Sequence, residues 1–237
     1  MTVLSVSHLN KFFSAGIFKS PKQVLHDVTF SIQKGRATGF VGLNGAGKTT
    51  TLKCVLGFIH PQSGSIDFDR RKLGYLPERP YYYDFLTAKE FLEFFWKLSE
   101  QNLSAFEEAC EQVLSEVGLL EAKNALLKDF SKGMLQRVGL AQALIHQPEI
   151  LILDEPMSGL DPDGRARIKE ILLRQKEQGK TLFFSSHLLA DMEELCEDLV
   201  IIHRGKIVYT GPLNSFKQAE SLESSFQQLR QQLEGRD

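Results

Sequence analysis

The stretch Gly42-Leu43-Asn44-Gly45-Ala46-Gly47-Lys48-Thr49 decides the fold of this chain. It fits the pattern GxxxxGK[ST], follows an apolar run over 37–41, and opens a helical pattern over 48–56. Strand, glycine turn and helix in that order form the context in which the pattern signifies phosphate binding. Glycines let successive backbone N–H groups close around phosphate oxygens without a clashing Cβ. The helix N-terminus adds partial positive charge. Lys48 is expected to reach the β- and γ-phosphates, and the Thr49 hydroxyl to ligate Mg²⁺.

A second feature lies about a hundred residues on. Ile150-Leu151-Ile152-Leu153 reads as a buried strand and runs into Asp154-Glu155-Pro156. Two carboxylates at the end of a buried strand are costly without partners. Alone, the segment fits a strand followed by an acidic helix start equally well. Beside a phosphate loop, Mg²⁺ and water become the natural partners. Asp154 would hold a metal-bound water, and Glu155 would accept the proton of the attacking water or position it. Ligands of parallel sheets sit at the carboxyl ends of strands, which agrees with this placement.

Around these two points the chain alternates. Strands are expected over 3–9, 24–32 and 37–41, with short ones over 65–68 and 73–75. A loop is expected over 14–22. Helices over 88–98 and 104–117 place Phe91, Leu92, Phe95 and Leu98, then Phe106, Val113, Leu114 and Val117, at helical spacing. Ser104 with Glu107 suggests a capping box. The outward face of this helical region is acidic, which reads as a solvated surface. Beyond it come helices over 134–145, 162–177 and 188–196, alternating with strands over 150–153, 181–185, 199–203 and 206–210. Such alternation implies a mostly parallel sheet covered on both faces.

Composition bounds the partners. A length of 237 residues suffices for one sizeable core. A net charge of −2 gives no bulk electrostatic case for binding nucleic acid. Cys54, Cys110 and Cys196 are far apart and form no zinc spacing, so a reduced compartment is expected. No secretory leader is read, and no stretch approaches the roughly 20 apolar residues of a membrane helix. Service to a membrane would then run through a partner.

Taken in order, the motifs resemble those of the ATP-binding cassette (ABC) ATPases, over about 4–211. Residues 42–49 look like the family's Walker A motif and 150–155 like Walker B. Tyr75-Leu76-Pro77-Glu78 stands at the Q-loop, and Phe130-Ser131-Lys132-Gly133-Met134 at the signature LSGGQ. Ser158-Gly159-Leu160-Asp161 resembles the D-loop, and His187 the switch histidine. Each of these last four is weak alone; the ordered set is specific.

The resemblance implies an α/β fold: a P-loop NTPase cassette with a mostly parallel sheet core, an antiparallel β subdomain and an inserted helical subdomain. It divides the chain into an ATP-binding core (1–79 and 135–212), a helical signature subdomain (80–134) and a helical tail (213–237). ATP and Mg²⁺ are the implied cofactors. Gly42, Leu43, Asn44, Gly45, Ala46, Gly47, Lys48, Thr49 and Thr50 would surround the phosphates. Thr49, Asp154 and Glu78 would serve the metal. Phe13, with Phe12 next, would stack on adenine. Ser131 and Gly133 would meet the γ-phosphate of a nucleotide held by a second cassette. Alone, this segment reads as a helix N-cap and nothing more. Lys48, Glu155, His187 and Asp161 form the implied catalytic set. His187 would orient the attacking water, and Asp161 would bridge the two subunits.

The chain departs from the family pattern at four points: Met134 replaces a glutamine, a phenylalanine stands at the adenine position where tyrosine is usual, and two further departures, Lys132 and Glu78, are charged. Lys132 replaces a glycine; it either adds charge near the opposite nucleotide or points to solvent, and the solvent reading is preferred because surface lysines usually do. Glu78 replaces a glutamine; it keeps an oxygen for the metal but cannot donate a hydrogen bond when ionised. Both departures resemble a bacterial subgroup that includes exporters. The implied partners are a transmembrane permease subunit and a second copy of the chain or a related cassette, with no nucleic acid. The implied location is the cytoplasmic face of the cell membrane. The aromatic run Tyr81, Tyr82, Tyr83 and Phe85 either meets that permease or fills the helical core. The alternative class is a non-transport ABC ATPase, soluble or bound to a membrane complex in a regulatory role.

Overall fold

The computed structural model describes residues 1–14, 20–99, 101–218 and 220–235. Residues 15–19 of the expected 14–22 loop, and residues 219, 236 and 237 of the expected tail, lie outside them. In chain order the described residues form β1 (Thr2–Phe13), β2 (Lys22–Gln33), β3 (Ala37–Val41), α1 (Lys48–Leu56), β4 (Ser63–Asp67), β5 (Leu73–Leu76), α2 (Ala88–Leu98), α3 (Phe106–Glu116), α4 (Lys132–Leu144), β6 (Ile150–Leu153), α5 (Pro162–Glu177), β7 (Thr181–Ser185), α6 (Leu189–Leu195), β8 (Asp198–His203), β9 (Lys206–Pro212), α7 (Leu213–Phe216) and α8 (Leu222–Glu234). Two compact units result: Met1–Asp69 with Phe183–Asp237, and Arg70–Leu182. No helix among the described residues is long and apolar enough to cross a membrane.

In the first unit, β1 pairs antiparallel with β2 and β4, in the order β2-β1-β4. One face is covered, so β2 alternates: Val28, Phe30 and Ile32 are buried while Thr29 and Ser31 are exposed. By contrast, β3 is buried along its whole length, as its unbroken run of small and apolar residues requires. It pairs parallel with β8, Thr38 opposite Asp198 and Val41 opposite Ile201, and β9 adds antiparallel to β8. Phe30, Phe40 and Phe183 form an aromatic knot with ring centroids 5.8, 5.6 and 5.3 Å apart. The knot joins β2, β3 and the middle of β7, and so fixes where β3 releases the phosphate loop.

In the second unit, β5 and β6 pair parallel, Leu73 opposite Ile150 and Leu76 opposite Leu153. At Gly74 a Cβ would lie 2.1 Å from the Ala143 carbonyl oxygen. Only glycine lets α4 approach β5 this closely. Helix α2 opens with a complete capping box between Thr87 and Glu90. The box expected at Ser104 and Glu107 does not form. Asn102 instead accepts from Ser104 N at 3.1 Å and starts a 3₁₀ turn, so α3 begins at Phe106. Glu107 turns to an ion pair with Lys89. Helix α4 begins two residues earlier than expected, because Ser131 caps it by accepting from Met134 N at 3.2 Å.

Phe183→Ala should remove the centre of the aromatic knot. A loss of about 3–5 kcal/mol is expected for such a truncation, against less than about 1.5 kcal/mol for Phe183→Leu. Urea denaturation followed by circular dichroism reads both; equal midpoints would remove the knot from its structural role.

Candidate functional site

The phosphate loop joins β3 to α1 in the first unit. A Cβ at Gly42 would lie 2.5 Å from the Ile202 carbonyl oxygen on β8, so the loop's first position is closed to any side chain. Gly45 and Gly47 take φ values of 79° and 114°, a left-handed backbone open to glycine. The loop folds back on itself, Ala46 N donating to Leu43 O at 3.0 Å. Lys48, the first residue of α1, is 8% exposed, and its ammonium donates to the Gly42 carbonyl at 2.6 Å. An ammonium buried this way needs oxygen around it. The loop provides one such oxygen, and phosphate oxygens would add to it. Thr49 is exposed and Thr50 half-buried in the same turn.

At the end of β7, Ser185 and Ser186 are buried and His187 is exposed. Leu188 N donates to Ser186 Oγ at 3.0 Å, which turns the chain out of the strand. His187 lines a cavity of about 390 Å³ together with Gly42, Leu43 and Asn44. The structure therefore brings the expected switch histidine to the phosphate loop. The other wall of that cavity is Glu223, Phe226 and Arg230 of α8, a helix to which the sequence analysis gave no role. Helix α8 is fastened to α6: Leu222 N donates to Glu193 Oε2 at 3.2 Å, and Lys217 pairs with the same carboxylate. Phe13, the expected adenine partner, is 41% exposed, with the Lys11 ammonium 5.2 Å from its ring centre.

In the second unit, β6 delivers Asp154, which is 3% exposed and whose N–H donates to Leu76 O at 2.8 Å. Burial, reinforced by the Asp154 charge, pushes the Tyr75 phenol up to about 12. Glu155 adopts φ 51°, a left-handed backbone that costs a non-glycine residue about 1–2 kcal/mol. Ser158 N donates to its carbonyl at 3.0 Å and closes the turn. Gln136, buried on α4, donates through Nε2 to Pro156 O at 2.8 Å. This bond ties the helix capped by Ser131 to the residue after Glu155. Its one sequence signal is a polar residue on an otherwise apolar helix face. Glu78 follows β5 and is exposed.

The same unit contains a cleft of about 550 Å³. Ser131, Lys132 and Gly133 at the start of α4 line it, with Gly159, Leu160 and Asp161 opposite. Asp161 caps α5 by accepting from Gly164 N at 2.9 Å. The N-terminus of α4 opens on this cleft and favours an anion, while that of α5 already holds the Asp161 carboxylate.

The aromatic run divides. Tyr82 donates to Leu135 O at 2.6 Å and packs on Phe91, so it belongs to the core. Tyr81 and Phe85 are 80% and 73% exposed, each set against Tyr83. The donors expected for a metal, the Thr49 hydroxyl and the Asp154 and Glu78 carboxylates, are all oxygen. That chemistry suits Mg²⁺, which commonly takes one or two carboxylates and completes its shell with phosphate and water.

The ABC transporter family profile matches residues 25–158. The ABC transporter ATP-binding protein sll0415 of Synechocystis sp. is 43% identical over 223 residues, covering 89% of this chain and 63% of that protein. The bacitracin transport ATP-binding protein BcrA of Bacillus licheniformis is 37% identical over 238 residues, covering 95% of this chain and 75% of that one. A solved ATP-binding subunit of an ABC transporter superposes with a TM-score of 0.85 at 31% identity, covering 96% of this chain and 99% of that structure. The chain belongs to the ABC transporter family and has the α/β fold of its ATP-binding cassettes. It spans less than two thirds of the length of the first of these relatives.

Lys48→Met should weaken binding of a fluorescent ATP analogue by about 100-fold, the loss of two charge-assisted contacts to phosphate. Thermal unfolding of the variant controls for damage. Undiminished affinity would exclude the loop as the phosphate site.

Proposed function

We propose that this chain is the ATP-hydrolysing subunit of an ABC transporter, working as a head-to-tail pair of cassettes that closes on two ATP molecules and drives a separate membrane permease. One observation carries the reading. The cavity of the phosphate loop and His187, and the cleft of Ser131, Gly133 and Asp161, have no lining residue in common. The family order gives both a part in handling ATP. A single cassette then offers two half-sites, and a second copy completes each.

In this reading, the loop N–H groups and the Lys48 ammonium hold the β- and γ-phosphates. His187 hydrogen-bonds the γ-phosphate. Ser131 Oγ and the Gly133 N–H meet it from the second copy, aided by the α4 dipole. Glu155 accepts the proton of the attacking water; its left-handed turn sets the direction in which the side chain leaves the backbone. Asp161 reaches across the pair. Bound Mg²⁺, held through Thr49, Asp154 and Glu78, would neutralise phosphate charge. Hydrolysis separates the charges that glue the pair, and the cassettes part. Tyr81 and Phe85 form the surface for a permease segment, since aromatics of this kind are enriched at interfaces. We assign export as the direction: Glu78 and the Lys132 signature resemble the exporter subgroup, and a relative is named for bacitracin transport.

Glu155→Gln should bind MgATP, hydrolyse it at least about 100-fold more slowly for want of the general base, and elute as a dimer. Gel filtration with MgATP reads the state. A monomer at saturating nucleotide would contradict the paired mechanism.

A further inference from the structure

Lys132 is the charged departure in a signature segment that differs from LSGGQ also at Phe130 and Met134, and its side chain, exposed as expected, reaches back over the D-loop. A Cβ built on Gly159 would fall 2.0 Å from the Lys132 Nζ, so the ammonium lies directly over the D-loop glycine. Gly159 has φ 66°, and both residues line the 550 Å³ cleft. Three cations face this cleft, Lys132, Arg137 and Arg167, against two carboxylates, Asp161 and Asp163. Arg137 is spent on structure: its Nη1 donates to Val117 O and Gly118 O, both at 2.8 Å. Burial, then the charge of Arg167, lowers its pKa. Asp161 turns Oδ1 to its helix cap, accepting from Gly164 N. Among the described residues, neither Lys132 nor Arg167 has a carboxylate within ion-pair distance.

The position is electrostatically unfavourable as it stands. Lys132 is the first residue of α4, whose first turn has no acidic residue, and a cation there opposes the helix dipole. An anion in the cleft reverses the sign, since dipole and ammonium then act on it together. A lysine on its flexible four-carbon stem is suited to a polyphosphate, which it meets as a point charge from a range of angles. The glycine of the family signature offers a backbone N–H and no charge.

We infer that Lys132 is a phosphate-contacting residue of the signature cleft. Its ammonium leaves Gly159 to engage the polyphosphate of ATP held by the second copy, and so sets how much ATP is needed to close the pair. The inference rests on the paired-cassette reading and adds a charged ligand to it.

The test uses the Glu155→Gln chain as parent, with Lys132→Met and Lys132→Arg added singly. Sedimentation velocity follows the dimer fraction across a MgATP titration at low and high salt. A separate titration follows ADP binding to each chain. Lys132→Met should need about tenfold more ATP than the parent at low salt, the loss of one charge-assisted contact. The gap should narrow at high salt, where exposed charges are screened. Lys132→Arg should stay near the parent, and ADP affinity should be the same in all three. An unchanged ATP requirement for Lys132→Met, a gap indifferent to salt, or a parallel loss of ADP affinity would each overturn the inference while leaving the paired mechanism standing. A parent that never dimerises would overturn both.

Discussion

The ammonium of Lys48, buried against the carbonyl of Gly42, is the constraint around which the first unit is arranged. For a lysine to sit there, the backbone must curl around it, which the left-handed glycines permit. For the curl to start at residue 42, β3 must end there, pressed so closely on β8 that no Cβ fits. The aromatic knot of Phe30, Phe40 and Phe183 holds β3 in that place. The residues with proposed roles follow the same geometry. Gly42 follows β3, Glu78 follows β5, Asp154 follows β6 and His187 follows β7. Each stands just beyond the carboxyl end of its strand, where sheets of this class place their ligands.

Helices α1, α2 and α5 and strands β3, β6 and β7 were legible in the sequence with their ends, because the apolar pattern and the flanking turn residues agree locally in each. Where local signals competed, reading failed. Asn102 and Ser104 both suit a cap, and the first in the chain captured the free N–H. Tyr82 and Tyr81 are the same residue type side by side, yet one reaches a carbonyl of α4 and the other meets water. No pattern in the sequence tells them apart; only the helix behind them does. The phosphate loop was readable because its chemistry lies in eight consecutive residues. The α8 wall beside His187 and the Gln136 bond to Pro156 were not, because each is a contact between distant segments.

Two of the departures from the family pattern are charged, and the charges are opposite. Glu78 adds a negative group where the family has a neutral amide, and Lys132 adds a positive one where it has glycine. Relative to the family the sum is zero, and both changes fall on segments with proposed contacts to nucleotide or metal. Glu155 shows a different kind of constraint. Its left-handed backbone is costly, and a buried glutamine bond from α4 anchors the residue that follows. Strain of this sort persists where surrounding contacts over-determine it. Here those contacts run from the helix capped by Ser131, so the segment that would sense one nucleotide is linked to the carboxylate that would act on the other.

The central claim is that each ATP site is built from two copies of the chain. Mixing two inactive chains tests it most directly: Lys48→Ala, which lacks a working phosphate loop, and Ser131→Arg, which lacks a working signature. Steady-state phosphate release is measured for each alone and for the mixture. Both should be inactive alone, and the mixture should regain activity in proportion to mixed dimers, in which one site is whole. A mixture as inactive as its parts would contradict it.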